Sequence, residues 1–538
     1  MTLKLSIVVP AMSVVLTAAA CDSLLVEEPQ GFTTTDTFYR TGADLNSATI
    51  AIYAAYRPGF GAFGGLHGFG NWTAPELASD QARHDNREPN YNTRSPDYID
   101  WTPTTGQTGG YWGLMYGVIT RANLVLARGP AIETPNQQMK DYNLAEAKFL
   151  RGYAYLWLTK VYDGVPLLLT PEEQANTQVT RTPVEEVHQA IIADLTEAEA
   201  GLPETWPGTD GFGISTEGRV TKGAAQMALA DLYLWRSSYM GTNEWQQAST
   251  WAKTVIDAGT WALNDDYIET FRPSNEGNSE MIFVLTNTGV EQRTSNVFQL
   301  FYYPRDWGLD LGQGGGWGLI HPTDWFWNSY LSGDHRRSTG EDFTSEAAYV
   351  SGGCSVSGIC VAEFGDGPMP WKYKKSDGGA TWWLGDVDVP LYRFAEAILM
   401  YGEAENELGN SSVAIAQINR IRARARNGTG SENRASPADY SGATDKLSVR
   451  EATYMERAWE LAFEAKRWFD LVRRDGLEPG YWLNSLRNHD PAAESQGSLT
   501  GEEHRKRFPI PQGQIDANPA LCQNAGYGGN TCEAGIQP

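Results

Sequence analysis

Residues 145–167 read Ala-Glu-Ala-Lys-Phe-Leu-Arg-Gly-Tyr-Ala-Tyr-Leu-Trp-Leu-Thr-Lys-Val-Tyr-Asp-Gly-Val-Pro-Leu. Ala145, Phe149, Tyr153 and Leu156 fall on one stripe at helical spacing, and Leu150, Ala154, Trp157 and Val161 on a second. A helix apolar on two faces packs between other helices rather than against solvent. It is expected from about Asn136 to Tyr162. Asp163-Gly164 stops it, and Val165-Pro166-Leu167 leads the chain away.

The same spacing extends in both directions. Leu45, Ala48, Ile52 and Ala55 predict a helix over 44–56, and further helices are expected at 111–127, 183–201, 217–237 and 244–258. Thr182 reads as the N-cap of the third of these, with Pro183 at its first position. Residues 57–110, rich in Gly, Asn and Pro, read as mostly irregular. Beyond 265 the pattern changes. A β-like run, Met281–Leu285, is followed by Gly- and Trp-rich loops, including Gly312 to Gly318. Helices return at 390–408, 411–427 and 447–475. In the last, Ala458, Leu461, Ala465 and Val472 make a core stripe, while Glu460, Glu464 and Arg467 can pair. Consecutive helix pairs point to an all-α helical-repeat scaffold with long loop insertions and minor β elements.

The N-terminus carries a separate signal. Lys4 precedes an apolar run, Leu5 to Leu16, that is shorter than the roughly 20 residues of a membrane span. Thr17-Ala18-Ala19-Ala20-Cys21 follows. This is the pattern of a secretory signal peptide over 1–20, with Cys21 placed to take a lipid such as palmitate. Residues 21–36 read as a tether. Two further divisions are expected, 37–264 and 265–538, as one compact unit. Setting Cys21 aside leaves four of the five cysteines. Cys354 with Cys360 and Cys522 with Cys532 are expected disulfides in an oxidising compartment.

The net charge of −24 argues against nucleic acid, whose phosphates need Lys and Arg. Gly-x-Ser-x-Gly, His-Glu-x-x-His, the phosphate loop and a full calcium loop are all missing, so no catalytic residue, metal motif or cofactor is expected, and a structural calcium held by loop carbonyls and Asp residues stays open. Glu396, Glu403, Glu405, Glu460 and Glu464 read as helix-surface or structural carboxylates rather than a catalytic pair.

Six segments, in order, resemble the SusD/RagB family of outer-membrane nutrient-binding lipoproteins. They are Thr35–Tyr39 with the helix to Tyr56; Ala145–Leu167; Arg219-Val220-Thr221-Lys222-Gly223-Ala224-Ala225; Leu391-Tyr392-Arg393-Phe394-Ala395-Glu396 through Gly402-Glu403-Ala404 to Ile418–Ala425; Glu456–Glu464 with Arg467-Trp468-Phe469-Asp470-Leu471; and Pro509-Ile510-Pro511 with Asn518-Pro519, Gln523-Asn524 and Gly526-Tyr527. The resemblance implies a tetratricopeptide-like scaffold with ligand loops on one face. It also implies a cell-surface lipoprotein that captures an oligosaccharide and passes it to a SusC-like TonB-dependent transporter for nutrient uptake. Some members of the family take peptide instead. A glycoside hydrolase and a scaffold binding only protein are the rival readings.

A sugar site needs flat aromatic faces for the apolar side of pyranose rings and polar side chains for the hydroxyls, held on loops over a rigid frame. Three regions offer both: Asn71, Trp72, Asp80, Gln81, Arg83, Tyr91, Tyr98 and Trp101; Tyr303, Arg305, Asp306, Trp307, Asp310 and Trp317; and Trp371, Lys372, Trp382 and Trp383. Within them, Trp72, Trp101, Trp307, Trp317 and Trp382 are the expected ring platforms, and Asp80, Arg83 and Asp306 the expected hydroxyl contacts. Trp325 and Trp327, in Pro322–Trp327, read as a packed turn. Trp157, Trp235, Trp459 and Trp468 read as core.

Overall fold

The computed structural model describes residues 38–56, 66, 69–85, 91–210, 212, 215–287, 295–302, 317–334, 336–338, 359–362, 367–370, 372–373, 385–426, 435–490 and 503–532. Cys21, the signal peptide and the tether lie outside them, as does Cys354 and with it the Cys354–Cys360 pair.

The helix Gln137–Tyr162 forms where its two apolar stripes require, with Asn136 capping it through a bond from the Met139 amide. It packs between Gly106–Arg128 and Val184–Gly201. The succession continues through Lys222–Tyr239, Trp245–Asp257, Phe394–Glu407 and Ser411–Ala425, each helix against the one before it. Lys446–Glu460 packs on the last two. The fold is all-α and tetratricopeptide-like, with strands confined to short ladders. Trp235, Trp459 and Trp468 are buried in its core. Trp157 lies flat against Tyr111 at 5.7 Å.

Three expectations need correction. Most of the described residues of 57–110 are not irregular, because they fall in helices Phe69–Leu77 and Tyr91–Tyr98 and the start of Gly106–Arg128. Pro75 and Pro96 disguise the first two, and packing overrides the local preference. Thr182 does not cap the helix at 184. Pro183 holds the cap position, while Thr182 pairs with Val165 and accepts a bond from the Leu167 amide.

The third correction positions the interior charges. Residues 447–475 form two helices, Lys446–Glu460 and Arg467–Asp475, separated by a turn in which Phe463 and Ala465 have φ of 60° and 57°. Neither Gly nor Pro marks the break. Side chains from elsewhere draw the freed carbonyls out of helical register. Arg393 and Tyr267 donate to Glu460 O at 2.6 and 3.0 Å, Lys372 to Ala462 O at 2.7 Å, and Tyr373 to Phe463 O at 2.9 Å. Glu76 accepts from the Ala465 amide.

Around this turn runs a buried charged seam. Arg393 meets Glu280, Glu460 and Glu464 at 2.6–2.8 Å. Arg424 joins Glu280 and Glu460, Arg336 joins Asp334, Glu456 and Glu460, and Lys372 joins Glu464. Burial alone would raise the Glu460 pKa, but Arg424, Arg393 and Arg336 together hold it well below the usual carboxylate range. The expected pairing of Glu460 and Glu464 with Arg467 is replaced. Both carboxylates belong to the seam, and Arg467 pairs with Asp80.

At the C-terminus Cys522 and Cys532 are disulfide-bonded, as expected. A short helix, Gln512–Ala517, precedes the disulfide.

Candidate functional site

Most of the expected site residues from 71–101 are interior. Helix Phe69–Leu77 and strand Ala82–His84 carry this region into the core instead of leaving it as a loop. Trp72 is only 1% exposed and packs on Phe298 at 5.4 Å. Trp101 is 2% exposed, donates to Tyr527 Oη at 2.7 Å and abuts Phe508. Neither indole can offer a face to a sugar. Asp80 accepts from Arg467 at 2.7 and 2.8 Å and from Ser485 at 2.6 Å. Its burial works to raise its pKa, but Arg467 overrides that and keeps it ionised. Asn71, Gln81, Tyr98 and Lys372 are likewise buried, the last within the seam. Tyr303, Arg305, Asp306, Trp307, Asp310, Trp371, Trp382 and Trp383 lie outside the described residues.

Arg83 and Trp317 stay at the surface, and Arg83 stands at a corner. Strand Ala82–His84 pairs antiparallel with Ile320–Pro322, placing Arg83 opposite His321. Trp317, 39% exposed, enters the second strand. The chain then turns into the one-and-a-half-turn helix Asp324–Ser329, capped by Thr323, whose hydroxyl accepts from the Phe326 amide. Successive residues of a helix point about 100° apart, so three adjacent aromatics cannot all face inward. Phe326 does, at 0% exposure, leaving Trp325 and Trp327 half-buried on either flank.

Trp325 lies flat on His489, with centroids 3.6 Å apart and planes 5° from parallel. Among the described residues its indole N–H has no acceptor, and it is not sealed from solvent. Asp324, with its side chain 88% exposed, sits 3.6 Å from the Arg83 guanidinium. Asn328 is exposed one turn on, its amide N–H bonded to Asp324 O at 2.8 Å, which leaves its side-chain carbonyl facing water. Behind Arg83, burial and the neighbouring Asp490 push the Asp97 carboxyl well above the usual range. Trp327 carries the Arg337 guanidinium over its ring at 4.8 Å.

The corner thus brings together an aromatic face, a carboxylate, a guanidinium and an amide, the set a sugar site requires. Trp325, Asn328 and His489 were not expected there. The signal for the tryptophan is present, since a short helix with consecutive aromatics must leave some at its flanks. Nothing in the sequence places His489, 164 positions later, against it.

Other surfaces are less suited. A groove of about 440 Å³ lies between Trp206 and Trp261. There Arg219 covers the Trp206 ring at 4.3 Å, and the indole N–H is spent on Val220 O. A cavity of about 30 Å³ beside Trp157 and Lys160 has room for a single water. Glu217, Glu276 and Asp388 bring carboxylate oxygens within 4.8 Å of one another. That spacing suits one hard divalent cation.

Two family models match the chain, "SusD family" over residues 346–527 and "Starch-binding associating with outer membrane" over 63–234. The chain belongs to the SusD/RagB family. A SusD-like protein of Formosa agariphila is 26% identical over 490 residues, covering 86% of this chain and 91% of the relative. The starch-binding protein SusD of Bacteroides thetaiotaomicron is 24% identical, over 80% of both chains. Among solved structures, a SusD superfamily protein from Bacteroides vulgatus superposes with a TM-score of 0.72 at 21% identity, covering 91% of this chain and all of that one. A laminarin-binding SusD-like protein superposes at 0.67 and 21% identity, again over 91% of this chain and all of that one. These likenesses support the SusD-like fold. Among the described residues no helix is long and apolar enough to cross a membrane.

Proposed function

We propose that this SusD-family chain is a surface lipoprotein that binds a glycan at the Trp325 corner, without chemical change, and delivers it to a SusC-like TonB-dependent transporter. The observation that carries the binding step is the half-exposed Trp325 indole beside Asp324, Arg83 and Asn328 on a fixed frame. A pyranose ring stacks on the indole, and its hydroxyls bond to the carboxylate, guanidinium and amide. Relatives named for starch and laminarin binding support the ligand class. The family description "associating with outer membrane" supports the location. Cys21 supplies the lipid anchor.

A glycan array with purified protein tests the binding step. Retention of at least one saccharide is expected, with loss of retention in Trp325→Ala. An array on which nothing is retained would sink the reading. Co-purification with a large barrel protein tests delivery, labelled-palmitate incorporation tests Cys21, and unchanged saccharide after prolonged incubation tests the absence of turnover.

A further inference from the structure

We infer that His489 is a positioning residue for Trp325, and that Asp80 fixes His489 in turn. This rests on the reading of the corner as the glycan face.

The two rings stack 3.6 Å apart and nearly parallel, so the imidazole occupies one side of the indole. A ligand ring can stack only on the other. The imidazole itself is not free to turn. Nδ1 stands 3.2 Å from Asp80 Oδ2 and 3.2 Å from the hydroxyl of Ser485, one turn earlier on the same helix, Tyr481–His489. A carboxylate acceptor at Nδ1 requires a proton there, which sets the tautomer. Asp80 is immobile because it is buried and clamped by both arms of Arg467.

The same short segment fixes the indole from below. Thr323, the cap of the Trp325 helix, donates its hydroxyl proton to Asp80 O at 2.7 Å and its amide proton to Gln81 O at 3.0 Å. Residues 80–81 therefore set both the helix that carries Trp325 and the ring stacked on it. Two independent ties from one rigid point hold the platform before any ligand arrives, so binding does not have to order it. Asp80 thus serves the expected site from inside, as a support rather than a hydroxyl contact.

Fluorine NMR of protein labelled with fluorotryptophan tests this. The resonance missing from Trp325→Phe belongs to Trp325. It is expected to move in His489→Ala, which removes the covering ring, and in His489→Gln, which keeps a donor for Asp80 but no ring to stack. His489→Ala is further expected to weaken a saccharide retained on the array about 5-fold, the scale of one aromatic pair. The unfolding midpoint is expected to fall only slightly, since Asp80 keeps Arg467 and Ser485. In a Trp325→Ala background the histidine change should cost nothing more in affinity. An unmoved Trp325 resonance, or an equal loss of affinity in both backgrounds, would overturn the inference. If no saccharide binds at all, the functional reading fails, while the resonance still decides where Trp325 is held.

Discussion

The seam around Arg393 and the corner around Trp325 are built from the same materials, arginines, carboxylates and aromatic rings, with opposite results. In the seam every charge is buried and matched. Arg393 is 0% exposed and bonded to three glutamates and a carbonyl. In the corner one ion pair is long and wet, one indole edge has no partner, and one amide faces water. Matched groups have nothing left to offer a ligand, whereas loosely matched groups can exchange water for hydroxyls at little cost. Two of the six family segments, 391–425 and 456–471, supply residues to the seam, whereas none of the six contains Arg83, Asp324, Trp325 or Asn328.

The largest expected effect comes from breaking the seam. Arg393→Ala leaves Glu280, Glu460 and Glu464 uncompensated in the interior, and removing one partner of such a network costs about 3–5 kcal/mol. Denaturant unfolding should show that loss, or the variant should fail to fold. An Arg393→Ala protein of wild-type stability would mean that the seam is not the frame.

Glu76 gives the next effect. Burial pushes its carboxyl up to about 8, against bonds from the Ala465 amide and Gln81. The folded state therefore holds a proton that the unfolded chain has released above its ordinary value of 4.5. Its contribution is fully present below that value and is lost as pH rises through about 8. Unfolding free energy should fall across this window by at most about 5 kcal/mol from this group. In Glu76→Gln, which keeps an acceptor for the amide, that slope should flatten.

In the corner the order reverses, with binding changing more than stability. Trp325→Ala should weaken glycan binding by about 1–2 kcal/mol, the scale of the apolar area of one ring face removed from water, and lower the unfolding midpoint far less than Arg393→Ala. Smallest of all is Asp324→Ala. The Arg83 pair is exposed and 3.6 Å long, so stability should change by less than about 1 kcal/mol in denaturant titration.

The helical frame was legible because helix periodicity is a local signal. Residues 145–162 carry both packing stripes, and the structure places helix on either side of them as those stripes require. The break at 461–466 was not legible. Leu-Ala-Phe-Glu-Ala-Lys favours a continuous helix, and the bonds that end it come from Arg393, Tyr267, Lys372, Tyr373 and Glu76, all distant in sequence. The corner was half legible. Arg83 and Trp317 announce themselves by composition, but Trp72 and Trp101 look the same in the sequence and are core. Exposure is decided by which elements fold over a residue, and two proline-containing helices conceal that in 69–98.

A structure of the protein with a retained saccharide tests most directly the assignment of binding to the corner and support to the seam. The sugar ring is predicted to lie on the free face of Trp325, with hydroxyls on Asp324, Arg83 or Asn328 and the seam unchanged. A saccharide bound elsewhere, for instance in the Trp206 groove with Trp325 untouched, would contradict it.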